Sequence, residues 1–165
     1  MKGYDNVIEP PFSDVFRKDH TLRGKWHTAW FKNNNPIILE LGCGKGEYTV
    51  GLSEKFPEKN FIGVDIKGAR MWKGAKEAFG KKLPNVAFLR TRIEFITSFF
   101  AQGEIDEIWI TFPDPQMKTK REKKRLPGPV FLNLYRTFLK NGGIIHHKTD
   151  SRALNDYTLS VVIKN

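Results

Sequence analysis

At 165 residues the chain is one domain by length and long enough to bury a substantial core, and its 28 Lys plus Arg against 18 Asp plus Glu leave a net charge of +10. That excess makes a polyanion the first partner to consider, against the plainer alternative of a well-solvated surface. Cys43 is the only cysteine, which rules out an internal disulfide and a cysteine-based metal cluster and suits a reducing cytoplasm; no metal is expected, and no apolar run or signal-peptide pattern points to a membrane.

Residues 1–35 mix charges, aromatics and the Pro10-Pro11 pair without sustained periodicity and read as a basic, aromatic arm ahead of a domain at 36–165. Arg17, Lys18, Arg23 and Lys25 could face RNA, while Phe16, Trp26, Trp30 and Phe31 are expected to pin the arm to the core, because large rings near a domain edge usually pack. The central feature follows. Ile37-Ile38-Leu39-Glu40-Leu41, between Pro36 and Gly42, has the branched, unalternating pattern of a strand buried on both faces. It breaks into Gly42-Cys43-Gly44-Lys45-Gly46, whose glycines let a ligand approach the main chain before a helix begins near Glu47. The spacing fits neither a dinucleotide loop nor a P-loop, and Glu40 would repel phosphate. An acid there suits a ligand that carries positive charge, such as the sulfonium and amino groups of S-adenosylmethionine. Cys43, inside so tight a loop, reads as a small packed residue and not as a nucleophile.

A helix over 47–55 leads to a second strand, 61–65, ending in Asp65. That acid stands about 20 residues past the glycine loop, where a Rossmann-type domain holds the ribose hydroxyls; the alternative is a helix N-cap. A helix at 67–81 carries Arg70, Lys73 and Lys76 on one face. A third strand, 86–90, meets a helix at 93–100 through Thr91-Arg92, the turn that lies under the adenine in this kind of fold. The Arg92 side chain has no acceptor, so any contact there should come from the backbone. The fourth strand, 107–111, runs into Phe112-Pro113-Asp114-Pro115-Gln116, where two prolines stiffen the chain around one acid. The sheet's switch point would set Asp114 across the cleft from the glycine loop, although an ordinary turn is the alternative. Residues 117–125 hold six bases and one acid at the mouth of that cleft, a pattern suited to a phosphate backbone. A helix at 131–140, stopped by Asn141-Gly142-Gly143, precedes a fifth strand at 143–149 and a helix from Ser151 to about Val162. Asp150, between these last two elements, could cap that helix.

With Leu-Glu-Leu-Gly-Cys-Gly-Lys-Gly, the Phe-Pro-Asp-Pro box with Lys118 behind it, and Lys-Thr-Asp-Ser in order, the stretch from Ile37 to Tyr157 resembles the tRNA (guanine-N7)-methyltransferases of the bacterial TrmB type. The resemblance implies an α/β, Rossmann-like class I methyltransferase fold, a mostly parallel sheet with helices on both faces. It implies S-adenosylmethionine as donor and a guanine of the tRNA variable loop as acceptor. By position, Glu40, Gly42, Gly44, Asp65, the turn at Arg92 and Asp114 would contact the donor, Lys118 and Asp150 would contact the substrate, and Asp114 would be the catalytic residue. Arg92 departs from the family's usual acid. The family also continues with a Thr-x-x-Glu motif and two more strands, so the expectation is a chain lacking its last strands. The rival readings are a methyltransferase of another acceptor and a non-catalytic RNA-binding fragment. Titration with donor and with tRNA separates them.

Overall fold

The branched apolar runs become the strands of one sheet in the computed structural model, which describes residues 3–164. The strands are β1 (Val7–Ile8), β2 (Ile37–Leu41), β3 (Asn60–Asp65), β4 (Val86–Arg90), β5 (Ile105–Thr111) and β6 (Leu139–Lys148), ordered β1-β4-β3-β2-β5-β6 with every pair parallel. All five residues of β2 are buried, as a central strand covered on both faces requires. From β2 the chain steps outward through β3 and β4, then returns to place β5 on the other side. The ends of β2 and β5 therefore flank the switch point where such sheets bind ligands.

The helices α1 (Phe12–Val15), α2 (Glu47–Lys55), α3 (Gly68–Gly80), α4 (Pro129–Tyr135) and α5 (Arg152–Lys164) complete the fold with short tight turns at Ile93–Ser98 and Thr119–Lys124. Val50 of α2 and Met71, Ala75 and Ala78 of α3 pack with Val86 and Phe88 on one face of the sheet. On the other, Ala87 and Leu89 join Trp26, Phe99, Phe100, Tyr135 and Phe138. The alternation along β4 thus feeds two cores.

The arm does more than lie on the domain. Val7 and Ile8 add an edge strand beside β4, and Trp26 is fully buried, stacked on Phe100 at 5.3 Å with its indole N–H donating to the Phe99 carbonyl at 2.9 Å. The packing role expected for Trp26 and Phe31 is the one observed; Phe16 instead stays largely exposed beside Phe12 and Phe95. Three further elements differ from the sequence reading. The segment after β4 is a 3₁₀ turn over Ile93–Ser98, tighter and shorter than the α-helix expected to Phe100. The α4 helix starts at Pro129 and stops at Tyr135, because burying Phe138 and pairing Leu139 with Ile105 draws the chain into the sheet. Asn141-Gly142-Gly143 therefore ends no helix. It forms an irregularity within β6, where the register passes from Ile105↔Leu139 to Glu107↔Ile144, and a Cβ on Gly143 would lie 2.9 Å from the Asp106 carbonyl oxygen.

Candidate active site

The loop after β2 turns through Gly42, Gly44 and Gly46, all left-handed with φ between +56° and +74°. At Gly46 glycine is needed twice over, for its left-handed φ and because a Cβ would stand 2.6 Å from a Phe88 ring carbon and 3.3 Å from the Cα of Gly74 in α3. This near contact of backbones brings α2 and α3 together over Phe88 and fixes where the loop ends. The loop is tied to β3 as well, with the Gly42 and Cys43 amides both donating to the Val64 carbonyl at 2.8 and 2.9 Å. Cys43 is buried, and desolvation beside Glu40 and Asp65 holds its thiol well above the usual range, so it is neutral and no nucleophile.

Gly46, the N-cap of α2, has no side chain to offer the helix start. Glu40 supplies that acceptor from β2. Its carboxylate receives the Thr49 amide at 2.8 Å, the Thr49 hydroxyl, and, on its other oxygen, the Thr111 hydroxyl of β5 at 2.6 Å. Burial raises its pKa against the pull of these three bonds. Asp65 performs a similar task at the end of β3, accepting the Gly44 amide at 2.9 Å and the Lys67 amide at 2.8 Å. The capping alternative for Asp65 is thus partly realised in this local turn, while its other bond faces the glycine loop. Asp114 is exposed and accepts the Gln116 amide at 3.0 Å. Phe112 and Gln116, on either side of Pro113-Asp114-Pro115, are both at φ +47°, a left-handed pose uncommon for side-chain-bearing residues and enriched at functional turns.

Two adjoining cavities result. One, about 420 Å³, is lined by Glu40, Gly44, Tyr48, Lys67, Arg70 and Thr111 among others. Its neighbour, about 340 Å³, is lined by Ile66, Thr91, Arg92, Glu94, Gln116 and Phe131 among others. Gly42, Asp65, Asp114 and Leu126 line both. Six of the sequence-derived donor residues therefore converge on one bipartite cleft. The chemistry of the lining is compatible with an adenosyl amino acid: the narrow half carries Ile66, Leu126 and Phe131 beside polar groups, Asp65 stands between the halves, and the wider half holds both carboxylates, Glu40, Glu47 and Asp114, and cations, Lys67 and Arg70. A larger cavity of about 770 Å³ between the arm and Arg90-Thr91-Arg92 includes no glycine-loop residue and lacks this set.

Arg92 lines the narrow half, but its guanidinium pairs with Glu94 at 3.6 Å and lies over the Phe95 ring. Lys118 and Asp150 line neither cavity. Lys118 opens the exposed turn Thr119–Lys124, and Asp150 is exposed just past β6. The helix cap next to Asp150 is Ser151, whose hydroxyl accepts the Leu154 amide at 3.3 Å. Among the described residues Lys118, Lys120, Arg121, Lys123 and Lys124 have no ion pair within 4.0 Å. Sequence reasoning missed Thr49, Thr111, Tyr48 and Leu126, and it counted Lys124 with the phosphate-facing bases of 117–125 although that residue also lines the narrow half. The hydroxyl at the end of β5 was the one findable signal, since it faces the acid of β2 across the switch point. Lys148 was also missed as a neighbour; its ammonium donates to the Tyr48 hydroxyl at 2.7 Å and lies over the Tyr48 and Phe112 rings.

Residues 34–165 match the family described as "Putative methyltransferase". The chain is 57% identical over 167 residues to a tRNA (guanine-N(7)-)-methyltransferase of Porphyromonas gingivalis, covering 100% of this chain and 68% of that protein. The protein of the same name from Bacteroides fragilis is 56% identical over 165 residues, covering 100% of this chain and 65% of its own length. The chain thus spans about two thirds of these relatives. Among solved structures, the aminoglycoside resistance methyltransferase NpmB1 superposes with a TM-score of 0.66 at 19% identity, covering 88% of this chain and 69% of that one, a likeness of fold.

Proposed function

The chain belongs to the tRNA (guanine-N(7)-)-methyltransferase family, and from that premise we propose that it transfers a methyl group from S-adenosylmethionine to N7 of a guanine in the tRNA variable loop, in the cytoplasm. One arrangement carries the reading. Asp114 lines both halves of the cleft, and a few residues later the chain presents an exposed turn of bases with no ion partners among the described residues. A small-molecule site thereby opens beside a surface suited to a polyanion. In addition, no helix among the described residues is long and apolar enough to cross a membrane.

When bound, S-adenosylmethionine supplies a methyl carbon on a positively charged sulfur. The chain's own residues have the task of placement. Asp65 accepts from ribose hydroxyls while keeping Gly44 and Lys67 in place; Gly42 and Gly44 give backbone access; Glu40 holds the loop and contributes negative charge to the wide half. The backbone at Arg92 meets the adenine. N7 of guanine attacks with an in-plane lone pair and has no proton to lose, so no strong base is required, and alignment with exclusion of water is the main demand. Asp114 accepts from the guanine edge or the donor's amino group and stabilises the positive charge that passes to the purine. Lys118 and Asp150 hold the substrate, and the target base turns out of its stack to reach the cleft.

The test is to titrate the chain with S-adenosylmethionine and with tRNA, then incubate all three and map N7-methylguanine in the RNA. Donor binding without tRNA affinity would point to another acceptor. Affinity for tRNA without donor binding would leave an RNA-binding protein, and either result overturns the proposal.

A further inference from the structure

Phe12 opens α1 and Phe16 caps its end, and both rings stay in water, 58% and 43% exposed. They do so although they stack on each other at 5.0 Å and meet the edge of Phe95 at 5.5 and 6.2 Å. One exposed ring is ordinary; three in contact make a patch that calls for a partner. The patch also stands on a fixed support. Val15, between the two rings, is 3% exposed in the core, its carbonyl accepts the Ser98 hydroxyl at 2.9 Å, and the His20 amide donates to the Ser98 carbonyl at 2.8 Å. Two guanidiniums lie over its rings, Arg17 at 5.3 Å from Phe16 and Arg92 at 5.8 Å from Phe95. Arg17 has no ion pair within 4.0 Å among the described residues. The pair of Arg92 with Glu94 is half exposed and worth little in water, so either guanidinium is free to take a phosphate. Position adds a further constraint. Phe12, Phe95 and Arg92 line the cavity of about 770 Å³ under the arm, which shares Ile66, Thr91 and Arg92 with the narrow half of the cleft; Lys124, the last base of the exposed turn, lines that half too. Rings, guanidiniums, cleft and basic turn thus form one continuous surface. A ligand with flat apolar faces and phosphates uses all of it, and RNA with unstacked bases is such a ligand. An apolar protein segment would cover the rings and leave both guanidiniums without a counter-charge.

We propose that Phe12, Phe16 and Phe95 are a stacking platform for tRNA nucleotides that leave the helical stack beside the target guanine, with Arg17 and Arg92 meeting their phosphates. The inference rests on the tRNA reading above and gives the RNA a binding site outside the donor cleft. Every base has a π-face, so the platform supplies affinity and not sequence choice.

The experiment measures, by fluorescence anisotropy over a series of salt concentrations, affinities for tRNA, for a short single-stranded RNA and for the same strand in a duplex. Phe12→Leu combined with Phe16→Leu keeps apolar volume and removes the rings. It should weaken single-strand binding about tenfold or more and tRNA binding in the same direction, leave the duplex alone, and leave the slope against log salt unchanged, because stacking releases no counterions. Phe12→Tyr with Phe16→Tyr should bind as the parent does. Arg17→Ala should instead lower the single-strand slope by about 0.7. Phe79→Leu removes an exposed ring of α3 that lines neither the cleft nor the cavity under the arm, and it should change nothing. Parental single-strand affinity in the Leu pair, an equal loss on the duplex, or the same loss in the Tyr pair would overturn the inference. Should the Leu pair not fold, ultraviolet crosslinking of a 5-bromouridine-bearing strand to the parent decides: it should mark peptides holding Phe12, Phe16 or Phe95, and marks confined to other peptides would overturn the platform. A parent chain that binds none of the RNAs sinks the tRNA reading and the platform with it, a result distinct from all of these.

Discussion

Replacing Glu40 by Ala should destabilise the ligand-free chain, because this carboxylate closes the start of α2 in place of a capping side chain. Thr49 is the third residue of that helix, one of the positions whose N–H has no partner within the helix, and it is 1% exposed. Its amide loses its only acceptor in Glu40→Ala, whereas the Thr49 and Thr111 hydroxyls can rotate toward other oxygens. A buried unsatisfied donor costs about 1–3 kcal/mol, and losing a charge from a buried site returns part of this. The net loss expected is about 1–2 kcal/mol, or a fall in Tm of about 2–8 °C for a chain of this size. Glu40→Gln should lose less than about 1 kcal/mol, since an amide oxygen can still accept from Thr49 and its NH2 can donate to the Thr111 hydroxyl. Urea unfolding of the three proteins without ligand measures both differences. Parental stability in the Ala variant, or equal losses in both variants, would refute the capping role. The pH dependence adds a sign. Burial raises the Glu40 carboxyl, so the folded state holds its proton more tightly than the unfolded state. That contribution is complete below the unfolded value, about 4.3, and is lost as pH rises through the folded one. The stability of the parent relative to Glu40→Gln should therefore decline with pH across that interval.

Asp114→Asn can retain the bond to the Gln116 amide, so Tm should hardly move, while methyl transfer to tRNA by a chain of the relatives' full length should fall about tenfold to a hundredfold; a parental rate would remove Asp114 from the mechanism. Changing Lys118, Lys120, Arg121 and Lys123 to Ala should weaken tRNA binding and flatten its dependence on log salt by about three, with donor affinity intact because Lys124, which lines the donor cleft, is left alone. An unaltered salt slope would return the turn to a merely solvated surface. Gly46→Ala, with its methyl 2.6 Å from Phe88, should cost at least about 2 kcal/mol, whereas Gly44→Ala, with nothing within 4 Å, should cost about 1 kcal/mol for its left-handed φ alone. Equal losses in denaturant unfolding would show that the contact with Phe88 is unimportant.

Much of the sheet was legible because β2 to β5 are short branched runs with clear punctuation, a local signal. That Glu40, Gly42, Gly44, Asp65, Arg92 and Asp114 would meet at one cleft was legible for a related reason: glycine spacing and an acid at a strand end are local, and the switch-point rule supplies their meeting in space. What failed was decided by distant contacts. The helix expected to reach Lys140 ends at Tyr135, because Phe138 has a place in the core and Leu139 a partner in Ile105. The strand at Val7–Ile8 is two residues long, too short for any periodicity, and exists because β4 offers it an edge. Glu40 was legible as an acid facing the site. Its bond to Thr49 was not, because nothing local marks how the loop folds back on β2, and the bond to Thr111, 71 positions away, shows in sequence only as a hydroxyl at the end of the strand across the switch point.

The bonds from Asp65 to Gly44 and Lys67, and from Gly42 and Cys43 to Val64, have a consequence for how a ligand is caught. Immobilising a backbone residue costs about 1–2 kcal/mol of conformational entropy, and glycine loses the most freedom of any residue. Here that ordering is completed while the chain folds, so an arriving nucleoside meets a receptor whose shape already exists. Each Asp65 oxygen can accept a second hydrogen bond, which lets a ribose hydroxyl join the Gly44 amide without displacing it. Capture then requires no closing motion of the loop, its association rate should show no slow isomerisation at high ligand concentration, and its heat-capacity change should match the surface buried.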